Sequence, residues 1–424
     1  MEFSKSTCSN VKIVALIIYI ILCFCLEYLY RNPLFEKSLK IEKKLYENSS
    51  DFQISFFKII TNFGTQGLII PLFAFVFLLF PLSKSYTFLS IIVLSSYFDN
   101  VLKIIYGSPR PYWVNPEIFR VCDGGFGNPS GHSFSSFSVY LSFWNTITDS
   151  DFFKKSPSGI LLKILLLIFF IGLCVTIVIS RIYLSVHSIN QIVFGATLGI
   201  GVYFYFYHVI QVHKYNGNKL AEYITDFRYV VFHFVKFLIY FIALLLLYFF
   251  RENNEIDYDT SLQELCPHLR KYRKYNNDGF FIGLVLFFLI GAHYGTHILF
   301  IISKRLYINK ENLINSWHQG GICQFFYKLI LFIPFNVPLI IFQLMKKEEN
   351  LPTLFIFGVI IPYVLNGIFL FCFYILSCIR CRIANENIYR IDVPVRTDGD
   401  ISYSNPEKES SNNVEIEINI KQKE

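Results

Sequence analysis

The sequence predicts an all-α, polytopic helical membrane protein, and three observations carry that prediction. Of 424 residues, 54% are hydrophobic and only 16% are charged. The apolar residues gather into runs of about 20, long enough as helices to cross a hydrocarbon core of roughly 30 Å. The polar residues collect between the runs and in the C-terminal tail.

Ten runs are candidate spans: 13–29, 67–82, 86–106, 133–148, 160–180, 188–211, 229–250, 279–302, 329–345 and 353–378. The first is longer than most signal-peptide cores. Tyr28-Leu29-Tyr30-Arg31 offers no small-residue cleavage site, so it is read as a retained span. Residues 32–66 place Ile41, Leu45, Phe52, Phe56, Ile59, Ile60 and Phe63 at near-helical spacing among charged residues, as in helices lying on a membrane surface. Lys236 interrupts the seventh run, and Pro334 and Pro338 fall in the ninth. Four parts follow: 1–66, a span plus surface helices; 67–212, which carries the motifs below; 213–382, additional spans; and 383–424, a polar tail too poor in apolar residues to build a core.

A formal charge of +7 is small for this length, and no basic cluster interleaved with aromatics points to nucleic acid. Lysine and arginine divide evenly between the two sides of the ten-span topology, so the positive-inside rule leaves the orientation open. The ten cysteines form no pair of matching Cys-x2-Cys motifs, and no metal site is expected. Cys23, Cys25, Cys174 and Cys372 fall inside apolar runs, as small core residues do. Cys122 and Cys266 are in position to form a disulfide if the motif side is a lumen; Cys378 and Cys381 are palmitoylation candidates if their side is cytoplasmic.

Three motifs carry chemistry. In Lys103-x6-Arg110-Pro111 the lysine lies in the last turn of span three, and Gly107 marks the helix end. Pro109 and Pro111 stiffen the backbone around Arg110, whose planar guanidinium matches two phosphate oxygens. Asp99, one turn before Lys103, is read as its ion-pair partner. In Pro129-Ser130-Gly131-His132, Ser130 is a natural N-cap and Gly131 admits a close ligand. The helix start attracts an anion, beside which His132 can give a proton to a leaving oxygen. In Ser180-Arg181-x5-His187 a second arginine joins a histidine able to attack phosphorus. Gln191, one turn later, can orient that ring through its amide oxygen. With an even number of spans, all these motifs fall on one side of the membrane.

In order and spacing these residues resemble the type-2 phosphatidic acid phosphatase and vanadium haloperoxidase superfamily, over roughly residues 60–212. The resemblance implies a six-helix phosphatase core and cofactor-free, metal-independent phosphoester hydrolysis. His187 would become a phosphohistidine and His132 would act as the acid. Lys103, Arg110, Ser130, Gly131 and Arg181 would bind phosphate. Gln191 stands where the pattern has Asp, although the glucose-6-phosphatase-like and dolichyl-diphosphatase-like branches also tend to carry Gln there. Arg110-Pro111-Tyr112-Trp113 and the Gly125/Gly127 spacing are similar to the glucose-6-phosphatase-like branch.

The expectation is an endomembrane or plasma-membrane phosphatase acting on a phosphorylated lipid or small phosphoester, with a lipid favoured because helix ends can admit a headgroup. A sugar phosphatase, a prenyl diphosphatase and a weakly catalytic phosphate-binding protein stay open. A transporter built on the last four spans and a vanadium peroxidase are weaker alternatives. His293 and His297, at i and i+4 in span eight, are read as helix–helix hydrogen-bonding groups rather than metal ligands.

Overall fold

The computed structural model describes residues 2–211 and 226–250, together with 214, 215, 219, 223, 265, 266, 285–293, 297, 364, 365 and 368. Among these the secondary structure is helical, with no strand. The ninth candidate span, the polar tail, Cys378 and Cys381 lie outside the described residues.

Helix α1 (Glu2–Asn48) runs for 47 residues, about 70 Å at 1.5 Å per residue, and so extends well past a bilayer. The sequence pattern places surface helices over residues 32–66; the first part of that stretch, 32–48, instead continues α1. The cause is tertiary. Ser38 and Glu42 are fully buried, and the Ser38 hydroxyl donates to Glu42 Oε1 at 2.7 Å while accepting the Ile189 amide at 3.0 Å. Helix α2 (Asp51–Thr61) opens with a Ser50/Gln53 capping box and turns Phe52, Phe56 and Ile59 outward, as a membrane-surface helix should.

Helices α3 (Gln66–Leu79), α4 (Leu82–Tyr106), α5 (Gly131–Ile147), α6 (Pro157–Tyr183), α7 (Ile189–Phe204) and α8 (Phe227–Phe250) follow the second to seventh predicted spans. Gly107 ends α4 in the left-handed region at φ 53°, the conformation its sequence position suggested. A π-helical turn, Tyr205–Ile210, extends α7. Among the described residues five helical stretches are long and apolar enough to cross a membrane, and the bent α2–α3 pair would make a sixth. On α1, α6 and α8 the large apolar side chains face outward, among them Ile17, Ile21, Ile168, Phe169, Ile239 and Leu246. Exposed apolar surface of this extent is what lipid contact requires.

Helix α5 is different. Ser133, Ser136, Ser138 and Ser142 are buried in it, and their hydroxyls are satisfied within the protein: Ser136 donates to the His132 carbonyl at 2.6 Å and Ser142 to that of Ser138 at 2.6 Å. It packs against α4, α6 and α7, so protein rather than lipid surrounds it and a polar surface is tolerated. Its contact with α7 runs backbone to backbone. A Cβ on Gly195 would lie 2.5 Å from the Ser130 carbonyl oxygen, and one on Gly199 2.4 Å from that of Phe134. Two small residues four apart allow this approach, which sets the start of α5 beside the start of α7.

Candidate active site

The end of α4, the start of α5, the end of α6 and the start of α7 meet on one side of the helix bundle. Arg110 sits among them, 1% exposed and in an extended backbone conformation (φ −84°, ψ 155°) between its two prolines. Its guanidinium is held on every side. Nε donates to the Gly125 carbonyl at 2.9 Å and Nη2 to that of Gly124 at 2.5 Å. Nη1 faces the Val186 carbonyl at 3.0 Å, Asp123 Oδ2 at 3.1 Å and His187 Nε2 at 3.2 Å. Arg181, also buried, donates through Nη1 to Thr61 Oγ1 at 2.6 Å and through Nη2 to Asp123 Oδ2.

Asp123 therefore bridges the two guanidinium groups with a single oxygen. Sequence reasoning missed it. The available signal was a lone acid inside the Gly-rich run Cys122–Gly127, facing motifs made of cations. Its backbone is clamped by buried Tyr112, whose hydroxyl donates to the Asp123 carbonyl at 2.7 Å and accepts its amide at 3.2 Å. The Arg110–Trp113 run thus positions the acid that pairs both arginines. Burial alone would raise the Asp123 pKa. Arg110 and then Arg181 override it and hold the carboxyl well below the usual carboxylate range.

His187 is 1% exposed. Its Nδ1 lies 2.8 Å from the Gly127 carbonyl and 3.2 Å from Gln191 Oε1. Both neighbours are acceptors, since Gln191 Oε1 also accepts the Ser188 amide at 3.2 Å and its Nε2 donates to the Pro109 carbonyl at 2.9 Å. Nδ1 must then carry the proton, which leaves the Nε2 lone pair toward Arg110. Burial, reinforced by the Arg110 and Arg181 charges and opposed by Asp123, keeps the His187 pKa well below its ordinary value, so the ring stays neutral. Gln191 lies against this ring as its spacing suggested. The Gly127 carbonyl, invisible to side-chain pattern matching, is the nearer partner. Gly127 has no room for a side chain: a Cβ would lie 2.6 Å from Gln191 Nε2 and 2.8 Å from the Pro109 oxygen.

Ser130 occupies the N-cap position of α5, but it makes no cap hydrogen bond. Its hydroxyl accepts from Ser133 Oγ at 3.1 Å, and its amide donates to the Gln191 carbonyl at 3.0 Å. Gly131 faces the α4 ion pair, Lys103 Nζ to Asp99 Oδ2 at 2.8 Å; a Cβ there would lie 2.6 Å from that carboxylate oxygen. Half-buried His132 packs on Gly64, where a Cβ would come within 2.8 Å of its ring. His132 and His187 both lie within electrostatic reach of Asp123.

Two supports come from elements the motifs do not include. Glu27 of α1, fully buried, accepts from Arg31 at 2.8 and 2.6 Å and from Asn128 at 2.9 Å, tying the loop before Pro129 to α1. A glutamate near the end of the first apolar run, with an arginine four residues on, was the sequence signal for it. Cys122 and Cys266 form a disulfide across 144 positions. Among the described residues no three His, Cys, Asp or Glu side chains converge as metal ligands do.

Fold and site together define a helical membrane protein in which two arginines, an aspartate and a histidine meet at converging helix ends. Residues 85–215 match the family model of the PAP2 superfamily. The chain is 27% identical over 169 residues to the cat (Felis catus) glucose-6-phosphatase catalytic subunit 1, covering 36% of this chain and 45% of the relative. To the mouse (Mus musculus) protein of that name it is 28% identical over 143 residues, covering 30% and 40%. It thus spans less than half the length of these relatives. A solved structure, a transmembrane PAP2-type phosphatidylglycerolphosphate phosphatase from Bacillus subtilis, aligns over 45% of this chain and 94% of its own, at 20% identity and a TM-score of 0.39.

Proposed function

We propose that the chain is an integral membrane phosphatase that hydrolyses a phosphomonoester through a phosphohistidine on His187. The observation that carries the reading is the state of His187: a neutral ring, Nδ1–H held by the Gly127 carbonyl, and the Nε2 lone pair beside an immobilised guanidinium. The Nε2 lone pair forms a bond to phosphorus as the bond from phosphorus to the ester oxygen breaks. His132 protonates the departing alkoxide. It then takes a proton from water, whose oxygen attacks phosphorus as the P–N bond breaks; the electron pair returns to His187 Nε2 and inorganic phosphate leaves. Arg110 and Arg181 balance the charge that spreads over the phosphoryl oxygens, with Lys103 and the start of α5 as further electrostatic support.

The seat between the two arginines already contains an anion, the Asp123 carboxylate. A substrate phosphate enters by replacing it on at least one guanidinium. Asp123 thereby keeps both arginines in register without letting their charges repel each other. Hydrolysis needs no metal in this reading, so activity should survive EDTA and be blocked by vanadate, which occupies the seat as a phosphate mimic.

Sequence alone favoured a lipid substrate. The name carried by the curated relatives moves the weight to a sugar phosphate, and the position of the site at helix ends keeps lipid phosphate as the second reading. The Cys122–Cys266 disulfide lies on the side of the site and supports a centre facing an oxidising compartment, such as a secretory lumen. Purified protein offered glucose 6-phosphate, phosphatidic acid, a sphingoid-base phosphate and a prenyl phosphate in one detergent separates these readings. Absence of phosphate release from all four, with no ³²P trapped on His187, would sink the enzymatic proposal and leave a phosphate-binding protein.

A further inference from the structure

A second site lies away from the motifs, inside the helix bundle. A cavity of about 400 Å³ opens between α1, α4, α7 and α8. Its walls are mainly apolar, with Ile20, Leu94, Phe98 and Val202 among the lining side chains. His233 and Lys236 break that pattern. They are three apart on α8, hence on one helix face, and both line the cavity. His233 is 4% exposed, and neither of its ring nitrogens has a hydrogen-bond partner among the described residues. Lys236, in the middle of a 24-residue apolar helix, has no carboxylate within salt-bridge distance among the described residues; its Nζ lies over the Phe237 ring, 4.8 Å from the centroid.

Polar groups at this depth are costly and are normally answered by a partner. Two kinds of partner fit a histidine with an open position: a metal or a hydrogen-bonding ligand. The nearest second imidazole, His293, has its ring centre 4.5 Å away, but its Nδ1 is already bonded to the Tyr86 hydroxyl at 2.7 Å and no third donor converges among the described residues. A metal needs more. We propose that the cavity is a binding site for a long-chain fatty acid, whose carboxylate accepts from Lys236 and from one His233 N–H while its hydrocarbon chain fills the space between α1, α4 and α7.

Charge and size select this occupant. One ammonium balances one negative charge, whereas a phosphomonoester dianion would bring excess charge into an apolar enclosure. A cavity of about 400 Å³ is at the small end of ligand pockets, suited to a single chain rather than a two-chain phospholipid. The site is separate from the phosphate centre and does not depend on its chemistry.

The test uses the full chain in nanodiscs and a photoactivatable C16 fatty acid, with the labelled peptides mapped by mass spectrometry. Label should fall on α4 or α8. Excess oleate should cut it at least tenfold, while monoolein, with the same chain but a neutral head, should leave it nearly intact. Lys236→Leu should weaken labelling about tenfold, and His233→Phe should weaken it less. Equal competition by monoolein and oleate would overturn the proposal, since the cavity would then be taking up any acyl chain. So would label absent from both helices, or full labelling of a folded Lys236→Leu protein. If neither variant folds, thermal stabilisation of the wild type decides: a rise in Tm with oleate but not with monoolein supports the site, and equal or absent rises overturn it.

Discussion

The phosphate centre and the α8 cavity both place charge where apolar helices converge, yet they handle it in opposite ways. At the centre every cation has a counter-charge in the protein, although Arg181 Nε and Asp99 Oδ1 have no hydrogen-bond partner among the described residues. Arg110 and Arg181 share Asp123, Lys103 has Asp99, and the His187 N–H has a carbonyl. At the cavity, the His233 ring nitrogens have no hydrogen-bond partner and Lys236 no carboxylate partner among the described residues. A centre whose charges are already paired is preorganised, and a ligand there must compete with the protein's own groups. A wall left unsatisfied is completed by its ligand. Pairing and absence of pairing thus separate the site proposed for turnover from the one proposed for holding a ligand.

The sharpest way to break this contrast is at His187. His187→Ala should lower phosphate release by about 10⁴-fold or more, the scale seen when a nucleophilic constellation is dismantled, and His132→Ala by about 10²–10⁴-fold. Single-turnover kinetics with intact fold would show it; a smaller loss for His187 than for His132 would contradict the assigned roles. At Gly127 the effect should be about 100-fold. An alanine methyl there would displace Gln191 and disturb the carbonyl that holds the nucleophile. Gln191→Ala, which leaves that carbonyl in place, should cost only about tenfold, on the scale of losing one orienting hydrogen bond. Equal effects in both variants would mean that Gln191, not the backbone, sets the tautomer.

Asp123→Asn tests the pairing itself. Two buried guanidinium groups lose their shared counter-charge, at a cost of roughly 2 kcal/mol, below the 3–5 of a fully enclosed pair because the carboxylate is half-buried. Vanadate should nevertheless bind several-fold tighter, because its competitor is gone. Lower stability with tighter binding would be the signature; weaker binding would make Asp123 part of the ligand site rather than its placeholder.

The smallest effect should come from pH. His187 has a depressed pKa in the folded state, so the unfolded chain binds the extra proton first and stability falls as pH drops below about 6.5. Asp123 adds a second loss of the same sign below about pH 4, as its unfolded-state carboxyl protonates. Thermal unfolding of wild type and Asp123→Asn across pH 3–8 separates the two, because only the lower step should vanish in the variant.

Much of this architecture could be read from the chain before any coordinates. Apolar runs located α3 to α8 within a few residues, because a bilayer demands both length and internal hydrogen bonding. Gly107 announced the end of α4, and Asp99 announced its partner at i+4. The motifs named every cation and both histidines that gather around Asp123. Local pattern failed where a segment answers to something distant. Residues 32–48 looked like a surface helix because nothing nearby shows that Ser38 and Glu42 face the start of α7.

What the sequence determined by itself was the set of candidate reacting groups and the helix ends that carry them. Both follow from residue type, spacing and the cost of placing polar groups in lipid. What only the tertiary structure decided was which group answers which: Asp123 between the arginines, a glycine carbonyl on the nucleophile, and a histidine and a lysine facing an unfilled space. Pairing depends on where chain segments far apart in sequence come to rest, and Gly195 and Gly199, by letting α5 and α7 touch along their backbones, set the distances on which it turns.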